Sequence, residues 1–291
     1  MRFSKPDLHM HTVISDGTDT PETLLAKVRE AGIDLFSATD HDAIKGSCIF
    51  PALLRKGDPA FLAGVEFSCR DGEGKYHILG YGYDPDAAPI RALVEKGHAL
   101  RMKKAEARLA FLETEFGFSF PEEEVSRLLA LDNPGKPHIG NLMVKYGYAE
   151  TKERAIRQYI DQLHVQSEYV RPEDAIRGIR ESGGIPVLAH PVYGSGDQLI
   201  LGAELETRVR RLKTYGLAGL EGFYSGYTEK LRGEVLALAE LCKLYVTAGS
   251  DYHGKNKLVE PGDTGLEADA AYPDGFRRFL EDVTIHASPA V

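Results

Sequence analysis

The stretch DLHMHT, residues 7–12, places His9 and His11 two positions apart behind a short apolar lead. On a β-strand, residues i and i+2 face the same side, so both imidazoles can aim at one point. A matching pair lies near the other end of the chain. There GSDYHG, residues 249–254, sets Asp251 and His253 two apart. Between the two pairs fall Asp16, Asp40, His41, Glu66, His77 and His190. Neutral imidazoles mixed with carboxylates are the donors that divalent metal ions take from proteins. The pattern predicts a multi-metal hydrolase.

Outward from these residues the chain alternates short apolar runs with helical segments. Residues 6–11 read as a strand. Thr20-Pro21-Glu22 opens a helix with Thr20 as N-cap, ending near Ala31-Gly32. IDLFSATD at 33–40, FLAGVEFS at 61–68 and YHILGYGYD at 76–84 read as strands. The rhythm suggests parallel strands with helices outside. From about Pro89 to Pro172 nearly everything reads as helix, including a long charged segment over 93–117. Strands resume with IPVLAHP at 185–191, LAGLEGFYS at 217–225 and LYVTAGSDYH at 244–253. The expectation is an α/β fold: a closed or nearly closed barrel of seven strands alternating with helices. It would comprise residues 1–89 and 171–291, with a helical insertion over 90–170. Such barrels carry reactive groups at the C-terminal strand ends. His11, Asp40, His41, Glu66, His190 and Asp251 fall at or near those ends.

Bulk properties narrow the class. The chain has 291 residues, 43% hydrophobic and 27% charged, as an ordinary globule does. It has no run of about 18 apolar residues, so no transmembrane helix is expected. The start runs directly into the first candidate site strand, which a cleaved leader would remove. Cys48, Cys69 and Cys242 are scattered and form no disulfide framework. Together these features predict a cytoplasmic protein. A net charge of −9 argues against a long nucleic-acid footprint. A small anionic ligand remains compatible, because bound metal ions reverse the local sign.

The ordered set of His-x-His with Asp16, TDH at 39–41, EFS at 66–68, AHP at 189–191 and GSDYH at 249–253 resembles the polymerase and histidinol phosphatase (PHP) superfamily. The likeness covers roughly residues 5–89 and 171–255. It implies a distorted seven-stranded barrel holding two or three divalent ions of manganese, iron or zinc. By this resemblance His9, His11, Glu66 and Asp251 hold the first ion. Glu66 bridges to a second, completed by His77 and His190, while Asp16, His41 and His253 match a third site. Glu66, Asp251, His190 and His253 would form the catalytic group. Asp40 would stand behind them and orient an imidazole. The insertion between the fourth and fifth strands looks like the branch that removes phosphate from nucleoside 3′,5′-bisphosphates and related small phosphates.

The residue types suit that chemistry. Carboxylate oxygen and imidazole fit Mn²⁺, Fe²⁺ or Zn²⁺, and no thiolate favours a softer metal. Paired ions about 3.5–4 Å apart can hold both reacting oxygens of an in-line displacement, and bound water drops in pKa from 15.7 toward about 7. The expected reaction is attack of a metal-bound hydroxide on a phosphomonoester, most simply of a nucleotide. Substrate contacts are expected from His138 and Lys136 in NPGKPHIGNLM, where Pro137 opens a helix. Arg101 of the long helix is a third candidate. Tyr224 and Tyr227 would lie at the mouth, for stacking or for packing, and residues 254–265 read as a lid loop.

Blander readings exist for single motifs. Asp16 could serve only the Asp-Gly turn at 16–17, and His77 could be a strand surface residue. His98, His164 and His286 read as solvated or packed. Competing functions of the same superfamily are a histidinol-phosphate or cyclic-phosphate hydrolase, and a non-catalytic module. The donor set also resembles that of amidohydrolases.

Overall fold

Thr20 caps the first helix as its residue type requires: its side chain accepts the Thr23 amide at 3.2 Å, and Pro21 follows at the first helical position. This helix, α1 (Pro21–Glu30), joins β1 (Pro6–Asp7) to β2 (Leu35–Phe36), and α2 (Lys45–Leu53) leads on to β3 (Ala60–Phe61). The three strands form one parallel sheet in the order β1-β2-β3. A second sheet holds β4 (Gly64–Arg70), β5 (Lys75–Tyr81), β6 (Ile185–Leu188), β7 (Gly219–Tyr224) and β8 (Tyr245–Gly249), in that order. The computed structural model describes residues 3–163, 169–194, 198–267 and 271–285. His164 and His286 lie outside them.

The α/β class holds, but the strands differ from expectation. The run at 61–68 divides into β3 and β4, giving eight strands among the described residues. Strand β5 pairs antiparallel with both β4 and β6, while β6, β7 and β8 run parallel. The reason is the four-residue link Asp71–Gly74, too short for a parallel crossover. Asp71 organises it by accepting the Glu73 and Gly74 amides at 2.8 and 3.1 Å.

The sheets do not close into one barrel. Irregular segments bridge them instead. On one side the Leu8 amide donates to the Ala248 carbonyl at 2.9 Å and the His11 amide to the Tyr252 carbonyl at 2.8 Å. On the other, the Asp42 amide donates to the Glu66 carbonyl at 2.9 Å and the Glu66 amide to the Asp40 carbonyl at 3.3 Å. Both bridges consist of the residues that carry the histidines and carboxylates.

Between β5 and β6 run α3 (Ala88–Phe116), α4 (Glu122–Leu129), α5 (Lys136–Lys145), α6 (Lys152–Gln158) and α7 (Pro172–Glu181). Side chains of α3 to α6 bury a cluster of their own, including Leu112, Leu128, Ile139, Met143 and Ala155. The large core lies around the five-stranded sheet, against α7, α8 (Gly202–Thr214), α9 (Glu229–Leu241) and α10 (Asp274–Asp282). Phe36, Phe50 and Phe61 fill a smaller core beneath the three-stranded sheet. None of the described helices is long and apolar enough to cross a membrane.

Candidate metal centre

His9 and His11 follow β1 in extended chain that pairs with residues 250–252; the Asp251 amide donates to the His9 carbonyl at 2.7 Å. Asp7 fixes this seam. Its fully buried carboxylate accepts amides of His9 at 3.3 Å, Ser250 at 3.0 Å and Gly262 at 2.7 Å. Gly249 permits the close approach. A Cβ there would lie 2.2 Å from the His9 Cβ and 2.4 Å from a Glu221 oxygen.

Alternation along a strand does not aim Asp251 and His253, as the sequence pattern suggested. Strand β8 ends at Gly249, and Asp251 takes a left-handed φ of 58°. His190, beyond β6, has φ 27°. Such conformations cost roughly 1–3 kcal/mol for non-glycine residues and persist where surroundings enforce them. For His190 one such constraint is its amide, which donates to Glu221 Oε2 at 2.8 Å.

The structure brings all nine expected donors together, with Glu66 at the centre. Its Oε2 lies 3.3 Å from His9 Nε2, 3.2 Å from His11 Nε2 and 3.1 Å from His41 Nδ1. Its Oε1 lies 2.9 Å from His77 Nδ1 and 3.3 Å from His190 Nε2. Asp251 Oδ1 is 3.5 Å from both His9 Nε2 and His11 Nε2, and 3.4 Å from His253 Nδ1. Asp16 Oδ1 stands 3.3 Å from His253 Nε2, and its Oδ2 3.9 Å from His41 Nε2.

Donor spacing forms three overlapping groups: His9, His11 and Asp251; His41, Glu66 and His77; and His11, Asp16, His41 and His253. His41 and His11 therefore belong to more than one group, a division different from the one the family likeness implied. Several buried atoms here make no well-aligned hydrogen bond despite close neighbours: His41 Nδ1, Glu66 Oε2, His77 Nδ1 and His190 Nδ1. Each such atom costs about 1–3 kcal/mol if it stays unsatisfied. Four in one cluster of imidazole and carboxylate fit divalent cations, which these donor types bind.

Neighbours orient the rings. Glu221 Oε1 sits 2.8 Å from His9 Nδ1, so that nitrogen carries the proton and Nε2 faces the cluster. His253 Nδ1 lies 2.9 Å from the Asp251 carbonyl, which leaves Nε2 toward Asp16. Glu221 was missed by sequence reasoning. Its signal was a carboxylate in GLEGFY, a strand buried along its whole length, where an unpaired charge is costly. A bulge between Glu221 and Phe223 shifts the register beside it. Asp40 does not touch an imidazole as expected. It accepts the Thr12 amide at 2.8 Å and the Ser15 hydroxyl at 2.7 Å, and Ser15 in turn lies 3.4 Å from His11 Nδ1.

The local field follows from this crowding. Burial disfavours a charged His9, but Glu221, Glu66 and Asp251 outweigh it and raise its pKa well above the usual imidazole range. His11 rises to about 9: burial opposes the charge, and Asp251 and Glu66 overcome it. Burial works against ionised Glu66 too, yet His77, His9 and His41 hold its carboxyl well below the ordinary value. For His41 burial wins, and its pKa falls well below normal.

The donors open onto a cavity of about 530 Å³. Asp16, His41, Glu66, His77, His190, Asp251 and His253 form one wall. Lys152, Asn256 and Lys257 add polar groups, and Pro137, Ile156, Tyr193 and Tyr224 an apolar surface. Lys257 contacts the Asp251 carboxylate and lies 3.0 Å from the Tyr224 hydroxyl; Tyr224 donates to Asp251 Oδ2 at 2.9 Å. The lysines carried no distinguishing pattern in the sequence. The expected substrate contacts Lys136, Arg101 and His138 are not among the residues that line the cavity, and each has a protein partner. Lys136, its side chain 41% exposed, pairs with Asp161 at 2.5 Å. Arg101 donates to Asp42 at 2.5 Å and to Ser68 at 2.7 Å. His138 Nδ1 accepts the Gly135 amide at 3.1 Å. Tyr227 is packed beneath Tyr224 and Tyr193, 5.3 and 5.8 Å between ring centroids.

An α/β fold presenting this donor cluster at the floor of a cavity defines a metal-dependent phosphoesterase. The chain belongs to the PHP domain family, whose model matches residues 7–212. It is 31% identical to a phosphoribosyl 1,2-cyclic phosphate 1,2-diphosphodiesterase of Eggerthella lenta, over 86% of this chain and 94% of that one. It is 29% identical to a 3′,5′-nucleoside bisphosphate phosphatase of Chromobacterium violaceum, over 90% and 89%. A 5′-3′ exoribonuclease of Haemophilus influenzae is 26% identical, over 92% and 97%. Among solved structures, a candidate metal-dependent phosphoesterase of Bifidobacterium adolescentis superposes with a TM-score of 0.80 at 27% identity, covering 96% of each chain.

Proposed function

We propose that the protein hydrolyses a phosphomonoester on a small molecule, most simply a nucleotide such as a nucleoside 3′,5′-bisphosphate. The observation that carries this reading is the ring of imidazoles and carboxylates around Glu66, with its buried atoms that make no well-aligned hydrogen bond, beneath a cavity that also presents two lysines. The relative named a 3′,5′-nucleoside bisphosphate phosphatase supports the substrate class.

His9, His11, Asp16, His41, Glu66, His77, His190, Asp251 and His253 would hold two or three divalent ions of the Mn²⁺, Fe²⁺ or Zn²⁺ type. When bound, such ions lower the pKa of water and neutralise charge on a phosphoryl group. Glu66 faces imidazoles through both of its oxygens and would serve more than one ion. Glu221 holds the proton on His9 Nδ1 and keeps Nε2 available. Lys257, beside Asp251 and Tyr224, would meet a phosphoryl oxygen. Residues 90–170 would act as a helical cap, since Pro137, Lys152 and Ile156 from that segment reach the cavity wall. The lysines and the charge of bound ions favour an anionic substrate even though the whole chain is acidic. A cytoplasmic location fits such a substrate.

Phosphate release from a panel of nucleotides, with Mn²⁺ added, tests the proposal. No release from any phosphomonoester by protein with ions demonstrably bound overturns it. A cyclic phosphodiester is the second reading, favoured by the 31% identity to the Eggerthella lenta protein. Turnover of cyclic and open phosphoribosyl esters side by side separates the two.

A further inference from the structure

Two lysines line the cavity, but their surroundings differ. Lys257 rests on a carboxylate, that of Asp251. Lys152 does not. Its ammonium donates to the neutral amide oxygen of Asn256 at 2.7 Å. Among the described residues the nearest carboxylate is that of Glu153, 3.7 Å away and itself 65% exposed, hence screened by water. The Lys152 side chain is only 18% exposed. A partly desolvated ammonium with three donors and one neutral acceptor is an incompletely compensated charge.

The geometry fixes where that charge stands. Lys152 opens α6, behind the capping hydroxyl of Thr151, which accepts the Arg154 amide at 3.2 Å. Its stem lies against α5: a Cβ on Gly140 would be 3.2 Å from the Lys152 Cγ. Asn256 is anchored in turn, donating from Nδ2 to the Asp16 carbonyl at 2.7 Å. The ammonium is therefore tied through a single side chain to the backbone of a donor residue. An anion on Lys152 and a phosphoryl group at the donor cluster can belong to one small molecule. The apolar faces of Pro137, Ile156, Tyr193 and Tyr224 share that cavity.

We infer that Lys152, held by Asn256, seats a second anionic group of the substrate and sets a preference for molecules with two phosphates over those with one. This rests on the phosphoesterase reading above. Adenosine 3′,5′-bisphosphate is compared with adenosine 3′-monophosphate and 5′-monophosphate, on wild type, Lys152→Met and Lys152→Arg. Initial rates are taken with Mn²⁺ and binding is measured by calorimetry with Ca²⁺. Wild type is expected to favour the bisphosphate at least tenfold in KM and in affinity, the scale of one charge-assisted contact. Lys152→Met should reduce that preference about tenfold or more, mainly through KM, and Lys152→Arg should restore most of it. A wild type without the preference, or a Lys152→Met variant that keeps it, overturns the inference. If no ester is hydrolysed, the phosphoesterase reading fails, while the binding comparison still decides the role of Lys152.

Discussion

The two walls of the cavity were not equally readable. The donor side was legible residue by residue: nine side chains from distant segments, Glu66 at their centre, come together there, and seven of them face the cavity. The helical wall was less so: Pro137, Lys152 and Ile156 line it, while Lys136, His138 and Arg101, the contacts expected from the sequence, are held by protein partners. The difference is one of alternatives. A buried imidazole or carboxylate has few affordable partners, so its presence in an apolar run implies a cation or a specific mate. A lysine or arginine on a helix has many. Lys136 finds Asp161 and Arg101 finds Asp42, and nothing in the local sequence distinguishes them from Lys152.

If the donor wall is a metal centre, its middle should be the most sensitive point. Glu66→Gln keeps the shape and removes the charge that faces imidazoles through both of its oxygens. Bound metal, measured by elemental analysis, should fall with activity, and by more than the roughly 10–100-fold typical of supporting residues. Full metal content with full turnover in this variant breaks the reading of that wall. Glu221→Gln ranks next. It leaves all nine donors in place and disturbs the proton on His9 Nδ1 and the acceptor of the His190 amide, so metal affinity should drop about 10–100-fold while the fold is kept. An unchanged affinity would show that Glu221 merely fills the strand.

Acidity probes the same wall from another side. In the ion-free protein the carboxylates raise His11 to about 9, so it is largely protonated at neutral pH. A raised imidazole pKa stabilises the fold below the ordinary value of about 6.5, and that contribution is lost as pH climbs through about 9. Ion-free protein should thus lose stability across this window. Metal ions need neutral imidazole, so their affinity should rise over the same range, with protons released on binding. Titration in buffers of different ionisation enthalpy counts those protons. Uptake instead of release contradicts the assignment of His11.

Some of this architecture could be read from local chemistry and some could not. Thr20-Pro21 announced α1, because capping and a fixed proline φ act within one turn. Period-two spacing suggested that His9 and His11 converge, and their Nε2 atoms lie 3.1 Å apart. The same rule gave Asp251 and His253 the right destination for the wrong reason. Asp251 is turned inward by a left-handed conformation that pairing with residues 9–11 imposes, a tertiary constraint with no local signature. Gly64, which opens β4, meets a constraint of the same kind. Gly64 must pass Ser37 so closely that a Cβ would lie 2.0 Å from its hydroxyl oxygen, a packing demand invisible in FLAGVEFS.

The smallest expected effect tests the helical wall by its silence. Lys136 stands at the start of α5, where sequence reasoning placed an anion contact, yet its ammonium is 2.5 Å from Asp161 and the pair is about two-fifths exposed. Exposed pairs of this kind contribute roughly 0–1 kcal/mol. Lys136→Ala should therefore change turnover by less than about twofold and stability by no more than that pair is worth. A loss of tenfold or more in kcat/KM, with the fold intact, would mean that Lys136 leaves Asp161 for the substrate. The helical cap would then bind by exchanging partners, and the contrast between a readable and an unreadable wall would reduce to a difference between the free and bound states of one helix terminus.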